Sequence, residues 1–145
     1  AAQGWDPLPN HIPNYEVPLA GDRYPLAMIS PPARNFLNSS FVNVESLRAI
    51  EKEPLIEICV EDASARGIAT GDTVKVFNDR GEYHCKADVT SRARPGVVNG
   101  LGIWWRKMGL NCTNVNEVTS QLLTDLGRAP VFYDCQVEVA LLKKA

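Results

Sequence analysis

One stretch of the sequence indicates the fold most clearly: DTVKVFNDRGEYHCKADVT, at residues 72–90. Its first half alternates apolar and polar residues, with Val74 and Val76 on one face, which is typical of a half-buried strand. The residues Asn-Asp-Arg-Gly at 78–81 predict a tight turn, and residues 82–90 return as a second strand. We therefore predict a β-hairpin in which Asp79 and Arg80 have only a structural role.

Short apolar runs on both sides of this hairpin predict further strands at 25–29, 55–60, 97–98 and 136–142. A helix is predicted after residue 43, because Asn43 can cap its N-terminus and Val44, Leu47 and Ile50 share a face. Two further helices are predicted at 61–66, ending before Gly67, and at 116–126. Short strands with a few short helices indicate a mainly β protein, built as a barrel with helical insertions.

The composition is that of an ordinary globular domain. The chain has 145 residues, a formal net charge of -2, 45% hydrophobic residues and 22% charged residues. A chain of this length can bury a core without disulfides or metals, and its composition excludes a disordered protein. The net charge does not indicate the excess of positive charge that nucleic-acid binding requires. No apolar run reaches the roughly 18 residues of a membrane span. We therefore expect one domain without nucleic-acid or membrane contacts.

Residues 1–24 differ from the rest of the chain. Prolines recur at 7, 9, 13 and 18, so we expect an extended segment that is draped over the domain or acts as a linker. The barrel domain is expected at 25–145. Since the first residues lack the pattern of a signal peptide, we expect a cytoplasmic protein, or a periplasmic one if a parent protein carries an export signal.

The four cysteines form no recognisable motif. Cys59, Cys85, Cys112 and Cys135 lack the CxxC or Cys/His spacing of zinc and iron–sulfur sites. We expect each of them to be a buried, reduced thiol. No activated nucleophile or acid pair is evident either, so we predict that the chain itself holds no metal and no catalytic residue.

A series of short segments shares its order and spacing with one protein family. The segments are YPL at 24–26, SSFVN at 39–43, EDA at 61–63, GDTVKVFNDRG at 71–81, RPGVV at 94–98, WW at 104–105, NVNEVT at 114–119, TDLG at 124–127 and FYD at 132–134. Over about residues 24–140 the chain resembles the C-terminal cofactor-binding domain of molybdopterin oxidoreductases, the dimethyl-sulfoxide-reductase family.

The resemblance implies a double-psi β-barrel that holds part of a molybdopterin guanine dinucleotide. In this family two such dinucleotides chelate molybdenum or tungsten, and the metal ligand and iron–sulfur cysteines lie in other domains. The resemblance therefore implies a cofactor-binding domain that performs no catalysis alone and whose partners are the remaining domains of an oxidoreductase. One departure is Arg128-Ala129 after Gly127, where many relatives have glycines and where Arg128 offers a cation instead.

The loop at 30–43 is the first candidate binding segment. It follows a strand and carries hydroxyl, amide and guanidinium groups, which suit a pyrophosphate. The alternative is a solvated loop whose Ser and Asn side chains bond their own backbone. Given the resemblance, we expect few apolar anchors between residues 30 and 38, and we expect cofactor binding by Ser30, Arg34, Asn38, Ser39 and Ser40.

Residues 114–119 form the second candidate segment. The amides of Asn114 and Asn116 each present a donor beside an acceptor, as the edge of a heterocycle requires. The alternative is that these residues cap the last helix. Thr119 belongs to the same family segment and is assigned to the cofactor with them.

The adjacent tryptophans Trp104 and Trp105 are predicted on a strand, with one facing inward and one outward. The outward one is a candidate for contact with the cofactor or with the rest of the enzyme, and we assign Trp105 to the cofactor. If the domain holds a dinucleotide, the segments 30–43, 102–106 and 114–119 must converge at one end of the barrel.

Two other functions are compatible with a barrel of this kind. Double-psi barrels also recruit proteins to AAA ATPases, so a protein-binding module is the alternative function. The polar segments 30–43 and 114–116 disfavour it, because a docking surface would prefer exposed apolar residues. A free-standing small enzyme is disfavoured by the lack of catalytic groups.

Overall fold

Six β-strands of the described residues close into a barrel in the computed structural model. The structure describes Gly4, Leu8, Asn10, His11, Tyr15, Glu16, 21–124 and 126–145. The strands are β1 (Leu26–Ile29), β2 (Leu55–Ile58), β3 (Thr73–Asn78), β4 (Gly81–Val89), β5 (Val97–Leu101) and β6 (Cys135–Lys143). The helices are α1 (Glu45–Glu51) and α2 (Val60–Ala65), with 3-10 turns at Gly21–Arg23, Arg106–Met108 and Val115–Glu117.

The strand order around the barrel is β1-β5-β2-β4-β3-β6. The pairs β1–β5 and β2–β4 are parallel, whereas the remaining neighbours in the barrel are antiparallel. A tight hairpin cannot join parallel neighbours, so the chain must cross over between the strands of each parallel pair. The fold is mainly β with short helices, and the prediction of a double-psi β-barrel is confirmed.

The β3–β4 hairpin forms as the alternation of its residues predicts. Val74 lies opposite Cys85 and Val76 lies opposite Tyr83, and all four side chains are buried. Asn78 pairs with Gly81, which leaves two residues at the tip of the turn. Burying every second residue places the apolar face inside the barrel and the polar face outside. The interior is filled by side chains of this kind, chiefly Leu26, Met28, Ile56, Ile58, Val74, Val76, Tyr83, Cys85, Val98, Val137 and Val139.

A second, smaller cluster lies beneath the loop at 30–43. Ala33, Phe36, Val42 and Trp104 are buried together, and the rings of Phe36 and Trp104 meet edge-on with centroids 5.2 Å apart. The expectation of few apolar anchors between residues 30 and 38 is therefore wrong, since both Ala33 and Phe36 lie in that interval. This cluster holds the loop against the barrel.

Two helix predictions are wrong in their details. α1 begins at Glu45 with Val44 as its N-cap, so Asn43 does not cap it, and no residue of α1 is buried. The predicted helix at 116–126 is replaced by the 3-10 turn Val115–Glu117 followed by irregular chain. Here polar side chains bond the local backbone, which competes with a regular helix. The third prediction is confirmed, because α2 is followed by Gly67 in the left-handed conformation, with φ +64°.

The cysteines agree with expectation at three of four positions. Cys59, Cys85 and Cys135 are buried, whereas Cys112 is exposed, on a turn with a left-handed φ of 54°.

Among the described residues, none of the helices is long and apolar enough to cross a bilayer. The prolines of the N-terminal segment lie outside the described residues.

Candidate functional site

A groove of about 480 Å³ opens on the surface of the domain. It is lined by residues from segments far apart in the sequence, namely Ser30, Asn38, Ile103, Asn116, Thr119, Ser120, Gln121, Leu123, Pro130, Phe132 and Tyr133. The segments 30–43, 102–106 and 114–119 thus converge, as a dinucleotide site requires. The structure adds a fourth segment, 120–133, to the same concavity.

Three amide side chains in the groove are available to a ligand. Asn38, Asn116 and Gln121 line the groove, and none of their amide groups makes a hydrogen bond with another described residue. Asn38 takes a left-handed backbone conformation, φ 52°, which Asn tolerates better than most residues do. Each amide therefore offers a donor and an acceptor together.

Two hydroxyl groups form a less accessible part of the groove. Thr119 and Ser120 are only 7% and 5% exposed. The Thr119 hydroxyl donates to the carbonyl of Asn116 at 3.3 Å, and the Ser120 hydroxyl oxygen accepts the N–H of Leu122 at 3.1 Å. Thr119 therefore keeps acceptor capacity, whereas Ser120 keeps its O–H donor.

Five of the nine predicted site residues do not line the groove: Arg34, Ser39, Ser40, Trp105 and Asn114. Arg34 and Ser40 are exposed. The indole N–H of Trp105 instead donates to the backbone carbonyl of Ser39 at 2.8 Å, which ties the 104–108 segment to the loop at 30–43. Both tryptophans follow the end of β5 instead of lying on a strand, with Trp104 buried and Trp105 half-buried.

Asn114 is occupied inside the protein. Its amide N–H donates to the carbonyl of Trp104 at 2.9 Å, and its side-chain oxygen accepts the N–H of Asn116 at 3.0 Å. The capping alternative thus describes Asn114, which caps the 3-10 turn Val115–Glu117. Asn116 is the residue of the pair whose side chain is left for a ligand.

Several groove residues were not predicted from the sequence. Ser120 and Gln121 fell inside the expected last helix and carried no separate signal. Phe132 and Tyr133 belong to the family segment FYD, but no chemistry was assigned to them. The centroids of their rings lie 4.5 Å apart, with an interplanar angle of 63°. The two rings give the groove an aromatic wall beside the amides.

The groove carries no formal charge at neutral pH. None of its lining residues is Lys, Arg, Asp, Glu or His. Across the part of the chain that the structure describes, no group of three or more His, Cys, Asp or Glu side chains is arranged to hold a metal ion. Amides, hydroxyls and aromatic rings in an uncharged concavity fit a flat, polar heterocycle.

Comparisons with known proteins identify the family of this chain. A family model described as Molydopterin dinucleotide binding domain matches residues 26–136. The chain is 34% identical over 128 residues to the probable oxidoreductase YoaE of Bacillus subtilis, covering 88% of this chain and 19% of that protein. It is 41% identical over 104 residues to the dimethyl sulfoxide reductase DmsA of Escherichia coli, covering 69% of this chain and 12% of that protein. The chain thus spans a fifth or less of the length of these relatives.

The barrel also resembles part of a solved structure. Acetylene hydratase from Pelobacter acetylenicus superposes with a TM-score of 0.79, covering 96% of this chain and 22% of that one, at 18% identity. A likeness at this identity concerns the fold. The match of the family model over most of the chain decides the assignment: this chain belongs to the family of molybdopterin dinucleotide-binding domains, the cofactor-binding domains of oxidoreductases of the dimethyl-sulfoxide-reductase type.

Proposed function

We propose that the groove receives a flat heterocycle of the molybdopterin guanine dinucleotide, and that the pyrophosphate of the cofactor lies outside the groove. The observation that carries this proposal is the set of free amides of Asn38, Asn116 and Gln121 around an uncharged concavity. The guanine and pterin rings both present an amino-oxo-pyrimidine edge, which needs a donor and an acceptor side by side. Side-chain amides supply this combination.

The other groove residues would complete the contact with the ring. The Phe132–Tyr133 pair offers an aromatic surface on which a flat ring can stack. The Ser120 hydroxyl can donate, and Thr119 can accept, at the less accessible part of the groove. The bound cofactor supplies the redox chemistry, while these residues bind it, orient it and exclude water from its ring.

The distribution of charge separates the ring from the pyrophosphate. A pyrophosphate is held by backbone N–H groups or by cations, and the groove supplies no cation. Arg34 and Arg128 are exposed side chains outside the groove lining. Those arginines and the hydroxyls of Ser39 and Ser40 are therefore the candidates for phosphate contacts.

The chain acts within a larger protein in this proposal. Its relatives are far longer, and apolar side chains of the segment 120–133 remain exposed, including Leu122, Leu126, Phe132 and Tyr133. The remaining domains of an oxidoreductase are the proposed partners that cover them. Residues 25–145 form the proposed barrel domain, and the cytoplasm, or the periplasm with an export signal, is the proposed compartment.

Titration of the purified chain with two probes tests the function. GDP represents the guanosine pyrophosphate half of the cofactor, and a simple pterin represents the other half. Calorimetry should show that the chain binds one of the two probes. Asn116→Ala and Gln121→Ala should each lower the affinity for that probe. The matched control is Asn43→Ala, which removes an exposed amide outside the groove. Absence of binding by both probes, or equal weakening by the control variant, would overturn the proposal.

A further inference from the structure

The turn at 78–81 is bonded to the segment that lines the groove. The backbone carbonyl of Val118 accepts a hydrogen bond from the Asn78 side-chain amide at 2.8 Å and one from Arg80 Nε at 2.8 Å. The thiol of Cys135 donates to the same carbonyl at 3.2 Å. A carbonyl that receives three donors, one of them a cation, is held strongly in place.

The backbone of this turn also packs closely against the same segment. A Cβ atom added at Gly81 would lie 2.8 Å from the carbonyl oxygen of Glu117, which is too close for any side chain. Gly81 therefore permits a contact between the hairpin and the 3-10 turn Val115–Glu117. The hairpin therefore contacts two adjacent carbonyl groups. Its side chains donate hydrogen bonds to that of Val118, and its backbone packs against that of Glu117.

Arg80 is itself oriented by a residue that precedes the barrel. Its two terminal guanidinium nitrogens donate to the two carboxylate oxygens of Glu16, at 3.0 and 2.8 Å. Glu16 is only 6% exposed. A bidentate pair fixes the plane of the guanidinium, so the remaining Nε–H is directed at the carbonyl of Val118.

We infer that Asn78 and Arg80 are positioning residues of the cofactor groove, with Glu16 holding Arg80 in place. The carbonyl of Val118 and the N–H of Thr119 belong to one rigid peptide plane. Fixing that plane restricts the path of the backbone that follows it. The next three residues on this path, Thr119, Ser120 and Gln121, all line the groove. The turn at 78–81 therefore does more than reverse the chain. This inference rests on the proposed function for its effect on the cofactor, but its structural part can be tested alone.

The first test measures backbone hydrogen exchange at residues 119–121 in Arg80→Met. The matched control is Arg92→Met, because Arg92 likewise pairs with a carboxylate that is 8% exposed, Glu57, and with Asp88, but does not contact the groove. We expect faster exchange at 119–121 in Arg80→Met and unchanged exchange there in Arg92→Met. Unchanged exchange in both variants, or equal acceleration in both, would overturn the inference.

The second test measures affinity for whichever probe, GDP or the pterin, the unmodified chain binds. Because Arg80→Met loses a hydrogen bond from a charged donor, its affinity for the probe should be roughly tenfold lower. Arg92→Met should bind the probe with normal affinity even if it is equally destabilised. Arg80→Lys should recover little of the affinity, since an ammonium cannot pair bidentately with Glu16 and reach Val118 together. Normal affinity in Arg80→Met would refute the positioning role while leaving the proposed function intact. If the unmodified chain binds neither probe, the proposed function fails and the exchange measurement still decides the inference.

Discussion

The side-chain oxygen of Asn114 accepts the backbone N–H of Asn116 at 3.0 Å, which gives two neighbouring asparagines different roles. Asn114 has both ends of its amide engaged inside the protein, because it also donates to the carbonyl of Trp104. The amide of Asn116 lines the groove instead. The capping role therefore belongs to Asn114, and cofactor binding is the role that we propose for Asn116.

Exchange of each asparagine for alanine should separate these roles in stability. Asn114→Ala should lower the free energy of unfolding by about 1–2 kcal/mol, because it removes a cap and leaves a backbone N–H and a carbonyl unpaired. Asn116→Ala should change it by less than about 0.5 kcal/mol. Urea unfolding of the two variants measures both values, and equal destabilisation would contradict the division of roles.

The four cysteines should differ sharply in reactivity. Burial raises the pKa of Cys135 to about 11 and that of Cys85 well above the usual thiol range, and it also raises the pKa of Cys59. The thiolate is the reactive species, so alkylation of the folded chain at neutral pH should modify Cys112 alone. Mass spectrometry should show one label, and Cys112→Ser should show none. Complete unfolding in denaturant should expose the other three, and rapid labelling of Cys135 in the folded chain would contradict its burial.

Asp72 should make the stability of the domain sensitive to acid. Hydrogen bonds from the backbone N–H groups of Ala69 and Ala145, and the Lys144 ammonium, lower the pKa of Asp72 in the folded state. A depressed pKa stabilises the fold above the unfolded value of about 3.9, and this contribution disappears as the pH falls through the folded value. The difference in unfolding free energy between the unmodified chain and Asp72→Asn should therefore shrink below about pH 4. Asp22→Asn, at an exposed carboxylate, is the control, and a difference for Asp72→Asn that is independent of pH would disprove the linkage.

Gly81→Ala should destabilise the domain, although Gly81 is the first residue of β4 and glycine in a strand is normally less favourable than alanine. Replacing Gly by Ala in a compatible conformation usually stabilises by reducing the entropy of the unfolded chain. Here the new methyl would meet the carbonyl of Glu117 at 2.8 Å, so a loss of about 1–3 kcal/mol is expected. Gly127→Ala is the comparison, because its methyl would come no closer than 3.8 Å to Thr124 Oγ1. Thermal unfolding should rank Gly81→Ala well below Gly127→Ala.

The Phe36–Trp104 contact should stabilise the loop at 30–43. Their edge-on geometry, with centroids 5.2 Å apart, predicts a coupling of about 0.5–1.5 kcal/mol between Phe36→Leu and Trp104→Leu in a double-mutant cycle. Additive effects of the two substitutions would show that the rings do not support one another. A coupled pair should also slow hydrogen exchange in the loop, because it ties the loop to the end of β5.

The strands could be predicted because their signal is local. Alternation at Val74 and Val76, and again at Val137 and Val139, requires only that one face be buried, and all four side chains are buried in the barrel. The last helix could not be predicted in the same way. Val118, Leu122 and Leu126 have helical spacing, but only Val118 is buried, whereas Leu122 and Leu126 remain exposed. Spacing alone does not reveal whether a surface exists for an apolar face to cover.

The sequence by itself determined the barrel and the family of this domain, because strand patterning, turn chemistry and the order of short segments are properties of neighbouring residues. It also identified three of the four segments that line the groove, but not the segment 120–133. Only the tertiary structure decided which side chain of each segment faces the groove, because that depends on hydrogen bonds between distant residues. Trp105 bonds to Ser39, and Arg80 bonds to both Glu16 and Val118. These contacts join residues 38–66 positions apart, and no local pattern encodes them.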